Sequence, residues 1–317
     1  MFSLLFNALL PAGPRGRLHT LIFHRVLPQR DQVFPGEVTT DDFNAICRWL
    51  KAWFHVLPLE QAVQQLREGS LPNRALSISF DDGYADNHDM ALPILQRHGL
   101  TATFFVATGF LDGGRMWNDT VIEAVRGCTL PQLDFTGTVA AELGALSMGS
   151  IESRRSAIGR IIGATKYLPL AERTKWVQAV AARAGASLPD DLMMTSAQVR
   201  ALHRAGMGVG GHTVSHPILA RLDTASVQDE ISEGRRQLHD ILNAPVPLFA
   251  YPNGKPGADY DERAVQVVRE LGFSGAVATT WGTAHRQSDP FQLPRFTPWD
   301  QSRLRFGLRL ARQMVSA

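Results

Sequence analysis

Cysteine is almost absent: Cys47 and Cys128 are the only two in 317 residues, far apart and outside any CxxC pattern. That scarcity argues against a disulfide scaffold or a thiolate metal site, and both read as small buried hydrophobes. Charge of either sign is not in excess. A net charge of +2 is too small to argue for nucleic acid as a partner. No low-complexity run or internal repeat interrupts a composition that is 44% hydrophobic and 20% charged, ordinary for a globular chain able to bury a full core. Long hydrophobic runs are also missing. The N-terminal stretch MFSLLFNALL stops at Leu10, too short to span a bilayer. A secretory signal carries its positive charges before the apolar run, whereas Arg15 and Arg17 follow it. The expectation is a cytoplasmic protein with an apolar segment over residues 1–17.

What the chain does contain is alternation. Short apolar runs read as strands over Leu18–Phe23, Phe54–Leu57, Leu76–Phe80, Ala102–Ala107, Gly208–Gly211, Leu248–Tyr251, Ser274–Ala278 and Gln292–Phe296. Helix-like stretches lie between them: Asp41–Ala52, Leu59–Glu68, Asn87–His98, Ser196–Ala205, Thr224–Leu242 and Asp259–Leu271. Strand–helix alternation implies a parallel sheet with helices outside, closed or partly closed as a barrel over residues 18–317. From about Gly109 to Met194 helical segments follow one another without a convincing strand. This reads as a helical insertion between two barrel strands. It either caps the mouth of the barrel or extends its outer layer.

The stretch SFDDGYADN places Asp81 beside Asp82 where a buried strand ends. Taken alone, it is an Asp-Gly turn before a helix that Asp86 and Asn87 would cap. The alternative is that one carboxylate holds a cation while its neighbour handles a proton. A second stretch, GVGGHTVSHP, sets His212 and His216 four residues apart after another strand end. Two neutral imidazoles and one carboxylate make a three-ligand site with an open position, the pattern of hydrolytic zinc.

SFDDGYADN followed by GHTVSHP resembles the polysaccharide deacetylases, and the resemblance runs from about Leu18 to Phe296. It implies a distorted (β/α)7 barrel that removes N-acetyl groups from N-acetylhexosamine units of a bacterial-type glycan. It also implies one divalent metal ion, zinc foremost with nickel or cobalt as alternatives. The implied ligands are Asp82, His212 and His216, with Asp81 as catalytic base. The LIFHRV stretch resembles the circularly permuted poly-N-acetylglucosamine deacetylase branch, in which the general acid comes first; this assigns His24, with His285 in WGTAHRQSD second. PLFAYPNGKPG resembles the family's Pro-Tyr-Gly loop but carries Asn253 where an aromatic is expected and lacks the preceding arginine that orients the base. Arg295 in LPRF is the candidate replacement, unless it is an ordinary surface arginine. Asn253 is also a candidate for substrate contact. Among Trp117, Trp281 and Trp299, Trp281 has the best claim to stack on a sugar. Other readings remain: hydrolysis of another amide, such as a formamido sugar or cyclic imide, or a non-catalytic glycan-binding module.

The C-terminal stretch SRLRFGLRLARQM fits one helix, with Leu304, Leu308, Ala311 and Val315 stacked and widened by Phe306, Leu310 and Met314. Arg305, Arg309 and Arg312 gather away from that stack. With the apolar N-terminus, this pattern suits weak contact with the inner face of an anionic membrane. Alternatively, both termini pack on the barrel with their arginines facing water.

Overall fold

The computed structural model describes residues 2–298 and 300–315. Ten strands form among the described residues: β1 (Arg17–Phe23), β2 (His55–Val56), β3 (Ala75–Phe80), β4 (Thr103–Val106), β5 (Gln132–Asp134), β6 (Ala145–Ser147), β7 (Gly208–Gly211), β8 (Leu248–Ala250), β9 (Gly275–Val277) and β10 (Ala284–His285). The helices are α1 (Phe2–Leu9), α2 (Thr40–Trp53), α3 (Leu59–Glu68), α4 (Leu92–His98), α5 (Trp117–Gly127), α6 (Ile151–Thr165), α7 (Leu170–Ala184), α8 (Ser196–Arg204), α9 (Thr224–Leu242), α10 (Glu262–Glu270) and α11 (Arg303–Val315). Local chemistry fixes several starts. Thr39 and Asp42 cap each other's backbone at α2, and Thr195 and Gln198 do the same at α8.

The main sheet runs β10-β1-β3-β4-β7-β8-β9, with β2 beside β3. All of these pairings are parallel except that of β10 with β1. β3, β4, β8 and β9 are buried along their whole length, as expected where helices cover one face and the barrel interior lies on the other. The register aligns Phe23 with Phe80, Val106 with Gly211, and Ala250 with Val277. The residues that follow these strands therefore emerge at one end. Glycine in β7 has a packing cause: a Cβ on Gly210 would lie 2.5 Å from the Phe105 ring and 2.9 Å from the Leu248 carbonyl oxygen.

The strand expected over Gln292–Phe296 is reduced to two parallel bridges, Leu293 to Val277 and Phe296 to Leu21. Pro294 between them has no N–H to donate, so the ladder cannot run through. The segment nevertheless joins β9 to β1, and with it the architecture is the distorted barrel the sequence led us to expect. β10 was not legible; it adds a short antiparallel edge at the start of β1. The insertion also differs from its all-helical reading. β5 and β6 form a small antiparallel hairpin within it, next to α5, α6 and α7. The insertion packs around a hydrophobic cluster that includes Val121, Phe135, Ile161, Trp176 and Val180, joined by Val33 from the loop between β1 and α2. It is moored to the barrel where Tyr84 bridges Met193, and where Ala85 and Met194 exchange backbone hydrogen bonds with Leu192 and Gly83.

The apolar N-terminus is part of the core. Phe2, Phe6 and Leu10 are buried, and the Phe6 ring lies 5.8 Å from Trp53 and 4.6 Å from Phe54. In α11, Phe306, Leu310 and Met314 are buried while Leu304, Leu308 and Val315 are exposed. The apolar surface expected as one face is thus divided in two. Phe6→Ala should cost about 3–5 kcal/mol in urea unfolding, the usual loss for a fully buried aromatic. A loss under about 1 kcal/mol would mean that α1 contributes little to the fold.

Candidate active site

The carboxyl ends of the strands gather the expected site. His24 follows β1, Asp81 and Asp82 follow β3, His212 follows β7, and Asn253 lies just beyond β8. They line a cleft of about 390 Å³ together with His216. Trp117, Asp119, Ile122, Ile162 and Lys166 from the insertion line it as well, so the insertion forms a wall of the cleft. Volume and lining suit a small-molecule or single-sugar site.

Asp82, His212 and His216 converge. The Asp82 Oδ1 lies 3.4 Å from Nε2 of each histidine, and one donor atom from each residue falls within 4.8 Å of the others. The His212 Nδ1–H donates to the Ala250 carbonyl at 2.7 Å, which turns Nε2 toward Asp82. Asp82 and His216 both sit at positive φ, 76° and 50°, a strained conformation for residues other than glycine. Burial opposes ionisation of Asp82, but the His212 hydrogen bond and the charges of His216 and His24 hold its carboxyl well below the usual range. Burial pulls His216 down to about 4, which favours the neutral, ligating imidazole. The donor set fits a divalent cation.

The loop between the histidines is held from outside. Glu230 on α9 accepts from the Val214 and Ser215 N–H groups, each at 2.9 Å, and from the Ser215 hydroxyl at 2.5 Å. α9 comes this close because residue 234 is glycine: a Cβ there would lie 2.9 Å from the Thr213 carbonyl carbon. Neither residue was foreseen, since a glutamate and a glycine on an amphipathic helix look like a solvated face.

Arg295 is no surface arginine. It is fully buried and grips Asp81 with two bonds, Nη1 to Oδ1 at 2.6 Å and Nη2 to Oδ2 at 2.7 Å. Its Nε donates to the Ala278 carbonyl and its Nη1 also reaches the Ser79 hydroxyl. Burial alone would raise the Asp81 carboxyl; Arg295 and His212 outweigh it and leave the pKa below the usual value. Asp81 is therefore ionised at neutral pH.

His24 is exposed in the cleft. Asp86 and Asn87, expected as a helix cap, instead anchor the loop that carries it. The Asp86 backbone is already helical and its side chain caps nothing. Asp86 accepts from the Val26 N–H at 3.1 Å and from Arg25 Nε at 2.8 Å, while Asn87 donates to the His24 carbonyl at 2.8 Å. Arg25 in turn lies 4.6 Å over the Tyr84 ring, and the Tyr84 hydroxyl donates to Asp119 at 3.1 Å. Burial pushes Asp119 up to about 7. Tyr84 and Asp119 were both overlooked.

One expectation fails on position. His285 pairs with Arg17 at the start of β1, roughly 20 Å of strand from His24 at the other end, and cannot act in the same cleft. Trp281 is 61% exposed and packs edge-on to Phe296, outside the cleft lining. Trp117 lines the cleft, with the Arg173 guanidinium 4.9 Å from its ring. Trp299 lies outside the described residues.

Arg295→Met should strand the buried Asp81 charge and cost about 3–5 kcal/mol at neutral pH. The sign with pH is fixed. Wild-type Asp81 titrates below its unfolded value of about 4, so its contribution is constant above that pH. In the variant, burial raises the carboxyl above about 4, so its folded state gains stability as pH falls toward 4. Urea unfolding of metal-free proteins should show the deficit narrowing from pH 7 to 5; a constant deficit would contradict a charged Asp81.

The sequence profile of the polysaccharide deacetylase family matches residues 68–130 and 165–276. YxkH of Bacillus subtilis, named as a polysaccharide deacetylase, is 19% identical over 281 residues, covering 88% of this chain and 70% of its own length. The poly-beta-1,6-N-acetyl-D-glucosamine N-deacetylase of Staphylococcus epidermidis is 30% identical over 82 residues, 26% of this chain and 28% of that protein. Among solved structures, the Streptococcus pyogenes deacetylase PplD in complex with acetate shares the fold, with a TM-score of 0.63 at 18% identity over 95% of this chain and 99% of that one. His24, Arg295 and the β5–β6 hairpin lie outside the matched stretches, yet the matched residues carry the Asp-Asp pair and both site histidines. The chain belongs to the polysaccharide deacetylase family.

Proposed function

We propose that this protein hydrolyses the N-acetyl group of N-acetylhexosamine units in a bacterial-type polysaccharide, using a zinc ion held by Asp82, His212 and His216. One observation carries the reading: an ionised carboxylate gripped by Arg295 stands beside a three-donor cluster, in a cleft that an exposed histidine also lines. When bound, the cation would supply a Lewis acid for the acetamide carbonyl and ease deprotonation of water.

The remaining work falls to the chain. Asp81 accepts the proton of the attacking water. Both its oxygens are held by Arg295, which fixes the carboxylate in one orientation and keeps it ionised. His24 donates a proton to the departing nitrogen, because an amine anion does not leave; acetate and a free amine result. Asp86 and Asn87 hold the His24 loop so that acid and base approach the amide from different strands. Asn253 and Trp117 line the cleft where the sugar ring would lie. The staphylococcal relative's named substrate supports a poly-N-acetylglucosamine chain as the first polymer to test.

Acetate release from N-acetylglucosamine oligomers should disappear on chelation and return with zinc. Asp81→Asn and His24→Ala should each keep stoichiometric metal and lose about 10²–10⁴-fold in kcat. Near-normal turnover in either variant would remove that residue from the mechanism, and activity indifferent to chelation would remove the metal.

A further inference from the structure

Ten large hydrophobic side chains are exposed among the described residues, and half lie on the two terminal helices: Leu4, Leu5, Leu304, Leu308 and Val315. Leu4 is 79% exposed and Val315 67%, with Leu304 and Leu308 above half. The helices touch. The Phe2 ring of α1 lies against Gly307 of α11, where a Cβ would sit 2.5 Å from the ring.

On α11, Leu304, Leu308 and Val315 fall within about 40° of one another around the helix axis. The buried Phe306, Leu310 and Met314 occupy another face. The sector on one side of the stripe, where Arg305, Arg309 and Arg312 fall, is basic, while the other side carries the buried Gly307 and Ala311. α11 carries Arg303, Arg305, Arg309 and Arg312 and no acidic residue, while α1 carries no charge at all. Arg305 and Arg312 are exposed beside the leucine stripe, Arg309 binds Asp300, and exposed Arg15 follows α1. An apolar stripe edged by cations of one sign has the chemistry of an interfacial helix on anionic lipid. Self-association fits less well, since a two-fold contact through this patch would bring like charges together.

We infer that α1 and α11 form a docking surface for an anionic bilayer, with the leucines entering the headgroup boundary and Arg305 and its neighbours contacting lipid phosphates. The surface is built on folded helices whose opposite faces are already buried, so binding requires no unfolding. It does not depend on the reaction assigned to the cleft.

The test is flotation of the full-length protein with phosphatidylcholine vesicles, with and without added phosphatidylglycerol, at low and high salt. Anionic vesicles should bind at least about tenfold better than neutral ones at low salt, and the preference should shrink at high salt. Leu304→Gln/Leu308→Gln should lose binding to anionic vesicles, and Arg305→Glu should weaken it, each with unchanged circular dichroism and metal content. Equal binding to both vesicle types, or flotation of the double leucine variant like wild type, would overturn the inference. A concentration-dependent dimer abolished by the leucine pair would assign the patch to self-association and overturn it as well.

Discussion

The Asp81–Arg295 pair is the constraint on which the rest of this site depends. Two charges removed from water are costly unless geometry and further hydrogen bonds compensate. Here they do: Arg295 spends its donors on both Asp81 oxygens, the Ser79 hydroxyl and the Ala278 carbonyl. Ser79 in turn donates to the Leu21 carbonyl of β1 at 2.8 Å. A single guanidinium thus ties the end of β9, the end of β3 and, through Ser79, the middle of β1. It closes the barrel and fixes the Asp81 carboxylate in the same act. That dual role explains why so polar a cluster is tolerated in the interior: its parts satisfy one another.

The ligand cluster beside it is held by strain of a different kind. Asp82 and His216 occupy left-handed backbone conformations that cost on the order of 1–3 kcal/mol each, so their surroundings must over-determine them. For Asp82 the restraint comes from the insertion, whose Met194 N–H bonds to the Gly83 carbonyl. For His216 it comes from Glu230, which gathers three donors of the preceding loop. The insertion therefore does more than wall the cleft. It braces the turn that carries Asp82 through Tyr84, Met193 and Met194, so its docking and the geometry of the three-donor cluster are coupled through a few backbone bonds.

Legibility in the sequence followed locality. Asp81, Asp82, His212 and His216 could be read because each pair lies within one short segment at a strand end. Arg295 could be named only as one of two alternatives, since Leu-Pro-Arg looks alike on a surface and in a barrel seam. Asp86 and Asn87 misled because an Asp-Asn before a helix is a capping signal; the turn over Asn87–Ala91 is a wider helical one that begins earlier, freeing both side chains for the His24 loop. Three-residue strands such as β5 and β6 carry too few alternations to register. Glu230 and Gly234 act through a neighbour far along the chain, and no local pattern encodes that.

The order of motifs follows from the same closure. His24 follows the first barrel strand and Arg295 lies on the last bridging segment, both outside the stretches matched by the family profile. In the closed sheet these two ends are adjacent, with Phe296 paired to Leu21 two residues before the end of β1. His24 and Arg295 are thus distant in sequence but close across the seam. Cutting a barrel at a different loop moves a residue from one end of the chain to the other without moving it in space. What the chemistry requires is the seam, and either terminus can supply its side chains. The docking of α1 and α11 against each other brings the two terminal helices together as well.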